Sequence, residues 1–431
     1  MKEKTFDKAL LRQVILIGML LVGDRIFFFF EQNYFNTYLD HVLFLPEIYI
    51  SVMVSLSATM GLIMMFVWGI ISDNTRSKYG RRRLYLLLGI IAGIGMTLFG
   101  LSQNYYLCLV LDVVIIGVAS NAYLVAERSL IPDNIEIEKR GRANGIINMI
   151  SYIGLLTGVA FLLLGNELFG IPDPRPGATG TIIPQGGHFF LLSIGGIIFI
   201  IVSIIGFLLI KELSEYQLPE KKKFFRELKQ TFNWKELKTQ KEFYKMTLAY
   251  VVFQTGTGSV MSFLFIFIFD IGASTLELLL IIGIAFPIVF ILTLYLGKIV
   301  DKHGRKRYLP LIIGIIGLGF LPMPFTVIGA STNIVLLLIF FPFVLIGLLA
   351  LITPLSAWAQ DLLPKGKRGK FTGILNIVET VSQIVGSIIG GIIATVFGIP
   401  WLFWLAPIFF FASIPLFLRV KETLNKIKVH S

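Results

Sequence analysis

"GIISDNTRSKYGRRR", residues 69–83, interrupts long apolar sequence with one Asp and five Lys/Arg in fifteen residues. A shorter form returns as "GKIVDKHGRKR", residues 297–307. Gly69 and Gly297 are 228 positions apart, and so are Asp73 and Asp301. "EKRGRANGIIN" (138–148) recurs as "GKRGKFTGILN" (366–376), which sets Arg140 and Arg368 in the same 228-residue register. Matches that share one offset mark a chain built from two parallel repeats, each about half of the 431 residues.

Around these charged loops the chain is 55% hydrophobic and 15% charged, with a mean hydropathy of +0.81. That balance excludes an ordinary soluble domain. Apolar runs long enough to cross a bilayer recur throughout. They predict twelve spans, at 12–39, 47–72, 84–102, 104–131, 143–165, 188–210, 246–270, 277–299, 309–329, 334–360, 371–397 and 401–419. The first keeps polar residues inside and lacks a small-residue cleavage site, so it reads as a retained helix. The single cysteine, Cys108, excludes an internal disulfide and a zinc cluster. No HExxH, GxSxG or P-loop pattern points to an enzyme. No cofactor is expected beyond a coupling proton or other cation.

The net charge of +12 raises the question of nucleic acid, and its placement answers it. Of 38 Lys and Arg, 35 fall in the termini and in alternate loops, all on one predicted side. The exceptions are Arg25, Arg128 and Arg175. Basic loops stay in the cytoplasm, so both termini and both charged hinges are predicted there. The partners this implies are a lipid bilayer and a small solute, for a chain read as a monomer. Residues 211–245 carry ten of the basic residues. Phe224, Leu228 and Phe232 recur there at helical spacing among lysines, which predicts an amphipathic helix on the anionic inner leaflet. The domains are thus 1–210, a first six-helix bundle, 211–245, the linker, and 246–431, a second six-helix bundle.

The repeated hinge resembles the loop signature of the major facilitator superfamily, G-x-x-x-D-x-x-G-[RK]-[RK], at both places where that family carries it. The resemblance covers essentially the whole chain. It implies an all-α membrane fold of twelve transmembrane helices in two six-helix repeats. Within the superfamily, "SDNTRSKYGRRR" is similar to the glycoside–cation symporters and their sucrose-transporter relatives. "ERSLIPD", Glu127 to Asp133, is similar to their R-A-L-L-A-D, with Arg128 and Asp133 in register. The sodium-coupled members carry two span 2 carboxylates where this chain has Met65 and Gly61. The sucrose transporters carry an acid where it has Gly117. Proton coupling must therefore use another acid.

The resemblance also implies a cytoplasmic latch, in which the loop Asp faces the start of span 11, near Phe371, and a nearby arginine. Gly69, Asp73, Arg76, Gly80 and Arg81 form it in the first half; Gly297, Asp301, Gly304 and Arg305 form it in the second. Asp73 ends a helix, where the dipole disfavours an anion, so it needs a partner. Gly69 is expected to allow close helix approach and Gly80 a tight turn. For the arginines a pure topology signal is an equally good reading.

Ionisable groups inside spans are costly and ask for a reason. Asp24 lies about 18 Å along the helix from Arg12, near mid-membrane. Arg25 is beside it, and Glu31 is two turns on, with Gln32 and Asn33 nearer the outside. Span 4 carries Asp112, Asn121, Glu127 and Arg128; snorkelling of Arg128 is the plain alternative to a binding role. Span 7 carries Gln254 in "QTGTGS", a stretch expected to bend. Span 11 carries Asn376, Glu379 and Gln383 on one stripe, either lining a cavity or packing against Asn148 or Tyr152. Amides and carboxylates on spans 1, 4, 7 and 11 suit a hydroxylated solute. The expected function is proton-coupled symport of a sugar or glycoside. Efflux of drugs or metabolites by antiport stays open, although "GLLTGVAF" lacks the Pro and the Gly pair of the antiporter signature. A non-transporting sensor is the remote alternative.

Overall fold

A computed structural model describes residues 8–135, 137–178, 180–212, 240–272, 274, 276–281, 283–284, 287–288, 291, 305–327, 333–345, 355, 358, 362 and 368–422. Among these, nine helices are long and apolar enough to cross a membrane, and two shorter apolar ones, Arg83–Phe99 and Val335–Val344, fall on predicted spans three and ten. Span eight, predicted at 277–299, lies largely outside the described residues, as do Gly297, Asp301, Gly304 and the linker helix. Arg305 opens a described helix, but its side chain is not described.

The helices are α1 (Lys8–His41), α2 (Glu47–Asn74), α3 (Arg83–Leu86), α4 (Leu88–Phe99), α5 (Tyr105–Leu109), α6 (Gly117–Asn134), α7 (Ile137–Phe169) and α8 (Gln185–Leu209). They continue with α9 (Lys241–Met261), α10 (Leu264–Asp270), α11 (Arg305–Phe320), α12 (Ile334–Leu345), α13 (Arg368–Phe397) and α14 (Leu402–Leu418). Between α5 and α6, Val110–Ile116 winds as a π-helix, with the Gly117 N–H reaching the Asp112 carbonyl five residues back. The only strands among the described residues are β1 (Ile171–Pro172) and β2 (Thr181–Ile182), paired with each other.

The chain divides into two compact units. The first takes residues 1–45, 56–171 and 182–228; the second takes 46–55, 172–181 and 229–431. In the first unit α1 packs on α7 and α8, and α4 on α8. Small residues set these crossings, because apolar side chains gain little by leaving lipid for one another. A Cβ on Gly93 would lie 2.5 Å from the Gly196 carbonyl, and one on Gly154 would lie 2.6 Å from the Val22 carbonyl. In the second unit α9 packs on α13 and α14.

The bend expected within "QTGTGS" is displaced. Helix α9 runs on through it and breaks at Ser262–Phe263 before α10. Gly258 instead lets α9 approach α13, since a Cβ there would lie 2.6 Å from the Gln383 carbonyl. Close packing, not flexibility, accounts for that glycine.

Candidate functional site

The charged loop that decides the sequence reading is a closed network within the first unit. At its turn Gly80 takes φ +101°, the left-handed conformation that favours glycine. The turn aims three successive backbone N–H groups at one carboxylate, that of Glu212. Arg81 N–H donates to it at 2.7 Å and Arg82 N–H at 3.0 Å, and Arg83 N–H completes the set. The side chains do separate work. Arg81 pairs with Asp133 at 2.6 Å, and Arg82 bridges Asp133 at 3.1 Å to Asp73. Arg83 donates to the Phe207 carbonyl at 2.7 Å. Arg76 donates to the Asp73 and Thr75 carbonyls at 3.0 and 2.9 Å, closing the end of α2 with a cation where the helix dipole favours one.

Asp73 pairs with Arg82 of its own loop, and the side chain of Phe371, where the expected latch contact falls, lies outside the described residues. Among the described residues nothing lies within 4 Å of a Cβ built on Gly69. Glu212 is absent from the sequence-derived site, because a carboxylate 131 residues away has no local signal.

Four acids lie inside the spans of the first unit. Asp24 and Glu127 are buried and interact electrostatically with each other and with the guanidinium groups of Arg25 and Arg128. Both Glu127 carboxyl oxygens are buried without a hydrogen-bond partner among the described residues, and the residue is 1% exposed. Farther along α1, Glu31 interacts electrostatically with Asp112, which is 2% exposed and accepts from Ser57 Oγ at 3.3 Å; Glu31 Oε2 is buried without a hydrogen-bond partner among the described residues. Asp112 meets Glu31 from within the π-helix, a distortion that often marks functional positions.

Two predicted amides serve their own helices. Asn33 donates to the Phe29 carbonyl at 2.7 Å, and Asn121 donates to the Gly117 carbonyl at 2.8 Å. Asn121 is buried while Arg128 is exposed, so their spacing along α6 does not give them a shared environment.

In the second unit Gln254 Nε2 donates to Glu379 Oε1 at 2.8 Å and to the Tyr250 hydroxyl at 2.9 Å. Asn376 and Gln383, on the same stripe of α13, are exposed. Gln254, Glu379, Asn376 and Gln383 thus present polar atoms from two packed helices, while Tyr250 is an addition from structure. Among the described residues no group of three His, Cys, Asp or Glu could hold a metal ion.

Nine described helices long and apolar enough to cross a membrane, with carboxyl and guanidinium groups inside them, define an integral multi-pass membrane protein. The chain belongs to the Major Facilitator Superfamily, whose family model matches residues 14–386 and 343–430, and it is a transporter of that superfamily. Among curated relatives it is 32% identical over 180 residues to Multidrug resistance protein MdtG of Proteus mirabilis (strain HI4320), covering 40% of this chain and 42% of that protein. It is 31% identical over 109 residues to Multidrug resistance protein 3 of Bacillus subtilis (strain 168), covering 25% and 20%. The matches thus span less than half the length of these relatives. Among solved structures, a mutant of nucleoside transporter NupG superposes with a TM-score of 0.70 at 12% identity, over 95% of this chain and 99% of that one. The D-xylose-proton symporter superposes with a TM-score of 0.67 at 14% identity, over 95% and 97%. These likenesses show the fold.

Proposed function

We propose that this chain is a secondary active transporter that works by alternating access and couples proton entry to uptake of a sugar or glycoside. It acts as a monomer in the cell membrane, with both termini cytoplasmic. The observation that carries the reading is Glu127, a carboxyl with both oxygens buried and without a hydrogen-bond partner among the described residues, in the electrostatic neighbourhood of Asp24, Arg25 and Arg128. An acid left so in a low-dielectric interior is relieved by taking a proton or a cation, which is what a coupling site must do. The polar stripe of Gln254, Asn376, Glu379 and Gln383 supports a hydroxylated solute, since it offers both donors and acceptors. The fold likeness to a D-xylose-proton symporter agrees with this reading.

Proton-driven efflux of drugs or metabolites is the second reading, favoured by the local identity to two multidrug resistance proteins. Purified protein in liposomes separates the two. Symport predicts that an inward proton gradient drives accumulation of a sugar from a small panel. Efflux predicts proton-driven movement of a lipophilic cation in the opposite direction, with no sugar accumulation.

A further inference from the structure

The end of α1 holds the hairpin between α7 and α8 through an imidazole. His41 Nδ1 accepts from the Ile183 N–H at 3.1 Å, one residue past β2. Both residues are buried. Pro184 follows and has no N–H, so Ile183 is the last backbone donor before α8 begins at Gln185. A ring nitrogen that accepts a hydrogen bond carries no proton, so this bond exists only while His41 is neutral, with its proton on Nε2. That nitrogen faces Asp40 Oδ2 at 3.7 Å. His188, on α8, stands 5.8 Å from His41 between ring centres and is under no such constraint. Its Nδ1 faces the Pro184 carbonyl at 3.4 Å and its Nε2 faces Thr37 Oγ1 at 3.1 Å. The Thr37 hydroxyl donates to the Tyr34 carbonyl at 3.3 Å, so both partners of His188 can accept, and a second proton there breaks no bond.

We propose that the His41–Ile183 bond is a pH-operated catch on the loop between α7 and α8. A proton taken from water at Nδ1 turns the acceptor into a donor, sets two N–H groups head to head and releases the hairpin at its α8 end. The imidazolium keeps Asp40 as its counterion. The other titratable groups facing the two rings are the phenols of Tyr34 and Tyr38, set edge-on to His188, and Cys108 of α5, which acts electrostatically on Tyr38. All are neutral or anionic, so none repels a proton arriving at His41. The charges of the hairpin itself, Asp173 and Arg175, pair with each other. Histidine ordinarily changes charge between about pH 5 and 8. The held form binds one proton fewer than the released form, so acid favours release, by up to ~10-fold in their ratio per pH unit. The catch lies at the end of α1 opposite Lys8, so in the proposed orientation it answers the pH outside the cell. It uses none of the acids assigned to coupling and holds whichever solute the chain carries.

The test is hydrogen exchange of the purified protein in nanodiscs, without solute or gradient, read on a peptide covering residues 180–186 from about pH 8 to about pH 5. Dividing the intrinsic exchange rate at each pH by the observed rate leaves the protection. Wild-type protection should fall with acid, by up to ~10-fold per pH unit. The chain has four histidines, so nitrogen-15 histidine spectra separate the rings, and the His41 signal should pass from Nε2-protonated to doubly protonated over the same range. His41→Asn sets a non-titrating amide oxygen near the place of Nδ1 and should keep its full protection in acid. His188→Gln should leave the pH dependence in place. Wild-type protection that does not change, a fall that survives in His41→Asn, or a fall that vanishes in His188→Gln overturns the catch. The wild-type spectra need no variant: a His41 ring still unprotonated at Nδ1 while protection falls overturns it too. Failure here leaves the symport reading untouched, and failure of gradient-driven uptake leaves the catch untouched.

Discussion

Gln254 and Glu379 are joined across α9 and α13 by a 2.8 Å hydrogen bond, and the same amide nitrogen reaches Tyr250 at 2.9 Å. Gln254 is 2% exposed, so its amide holds Glu379 in place away from bulk water. Removing the donor leaves a carboxyl short of a partner, at a cost of about 1–3 kcal/mol. Gln254→Leu is therefore expected to lower the melting temperature of purified protein, and Gln254→Leu combined with Glu379→Leu should recover part of the loss. If the double variant is no more stable than the single one, the bond is not what holds the two helices' polar faces together.

Asp24 is the next test. If it takes part in coupling, Asp24→Asn removes a titrating group and keeps the shape. Accumulation of solute against its gradient should be abolished, while exchange of labelled for unlabelled solute continues. The measurement is uptake into proteoliposomes with and without a proton gradient. Normal accumulation by Asp24→Asn would pass the role to Glu127 or to the Glu31–Asp112 pair.

The loop network predicts unequal effects for its two aspartates. Asp133 meets both Arg81 and Arg82, and its side chain is 16% exposed; the Asp73 side chain is 41% exposed. Breaking a buried pair costs about 3–5 kcal/mol, whereas an exposed pair is worth about 0–1 kcal/mol. Asp133→Asn should therefore destabilise the protein far more than Asp73→Asn. Both should increase labelling of a cysteine placed on the cytoplasmic side in a Cys108→Ser background. Cys108 is the single cysteine of the chain and is buried, so the background signal is low. Equal stability of the two variants would contradict the network.

Outside the spans, Asp173 makes a pH prediction. Burial alone raises its carboxyl, but hydrogen bonds and charge from Arg175, at 2.5 Å, outweigh that and hold it below the usual carboxylate range. A depressed folded-state pKa gives stability that is present above the ordinary carboxylate pKa and is lost as pH falls through the folded value. Melting curves of wild type and Asp173→Asn should differ at neutral pH and converge in strong acid. A difference that grows with acidity would refute the assignment.

The membrane architecture was legible because hydropathy and the 228-residue repeat are properties of the chain itself. The intramembrane charges were legible for the same reason: each stands out against apolar neighbours. Their pairings were not. Asp112 meets Glu31 from a π-helix, and periodicity assumes the α-helical turn, so the register past Val110 is shifted from the one sequence reading uses. Asn33 and Asn121 looked like ligand amides, yet each turns back to a carbonyl of its own helix, a choice no spacing reveals.

The Glu212 clasp has a consequence in time. Chains insert from the amino end, and orientation is read from cations near each span as it emerges. Asp133 and Glu212 follow the loop arginines by 52 and 131 residues. Until Asp133 and Glu212 are synthesised, Arg81 and Arg82 lack these two partners and, in the proposed orientation, act as cytoplasmic-retention cations. Asp133 later pairs with both, and Glu212 then holds the backbone N–H groups of Arg81, Arg82 and Arg83. In the proposed orientation, one short segment thus serves first as a topology signal and afterwards, with Arg81 and Arg82 paired, as a fixed part of the folded protein.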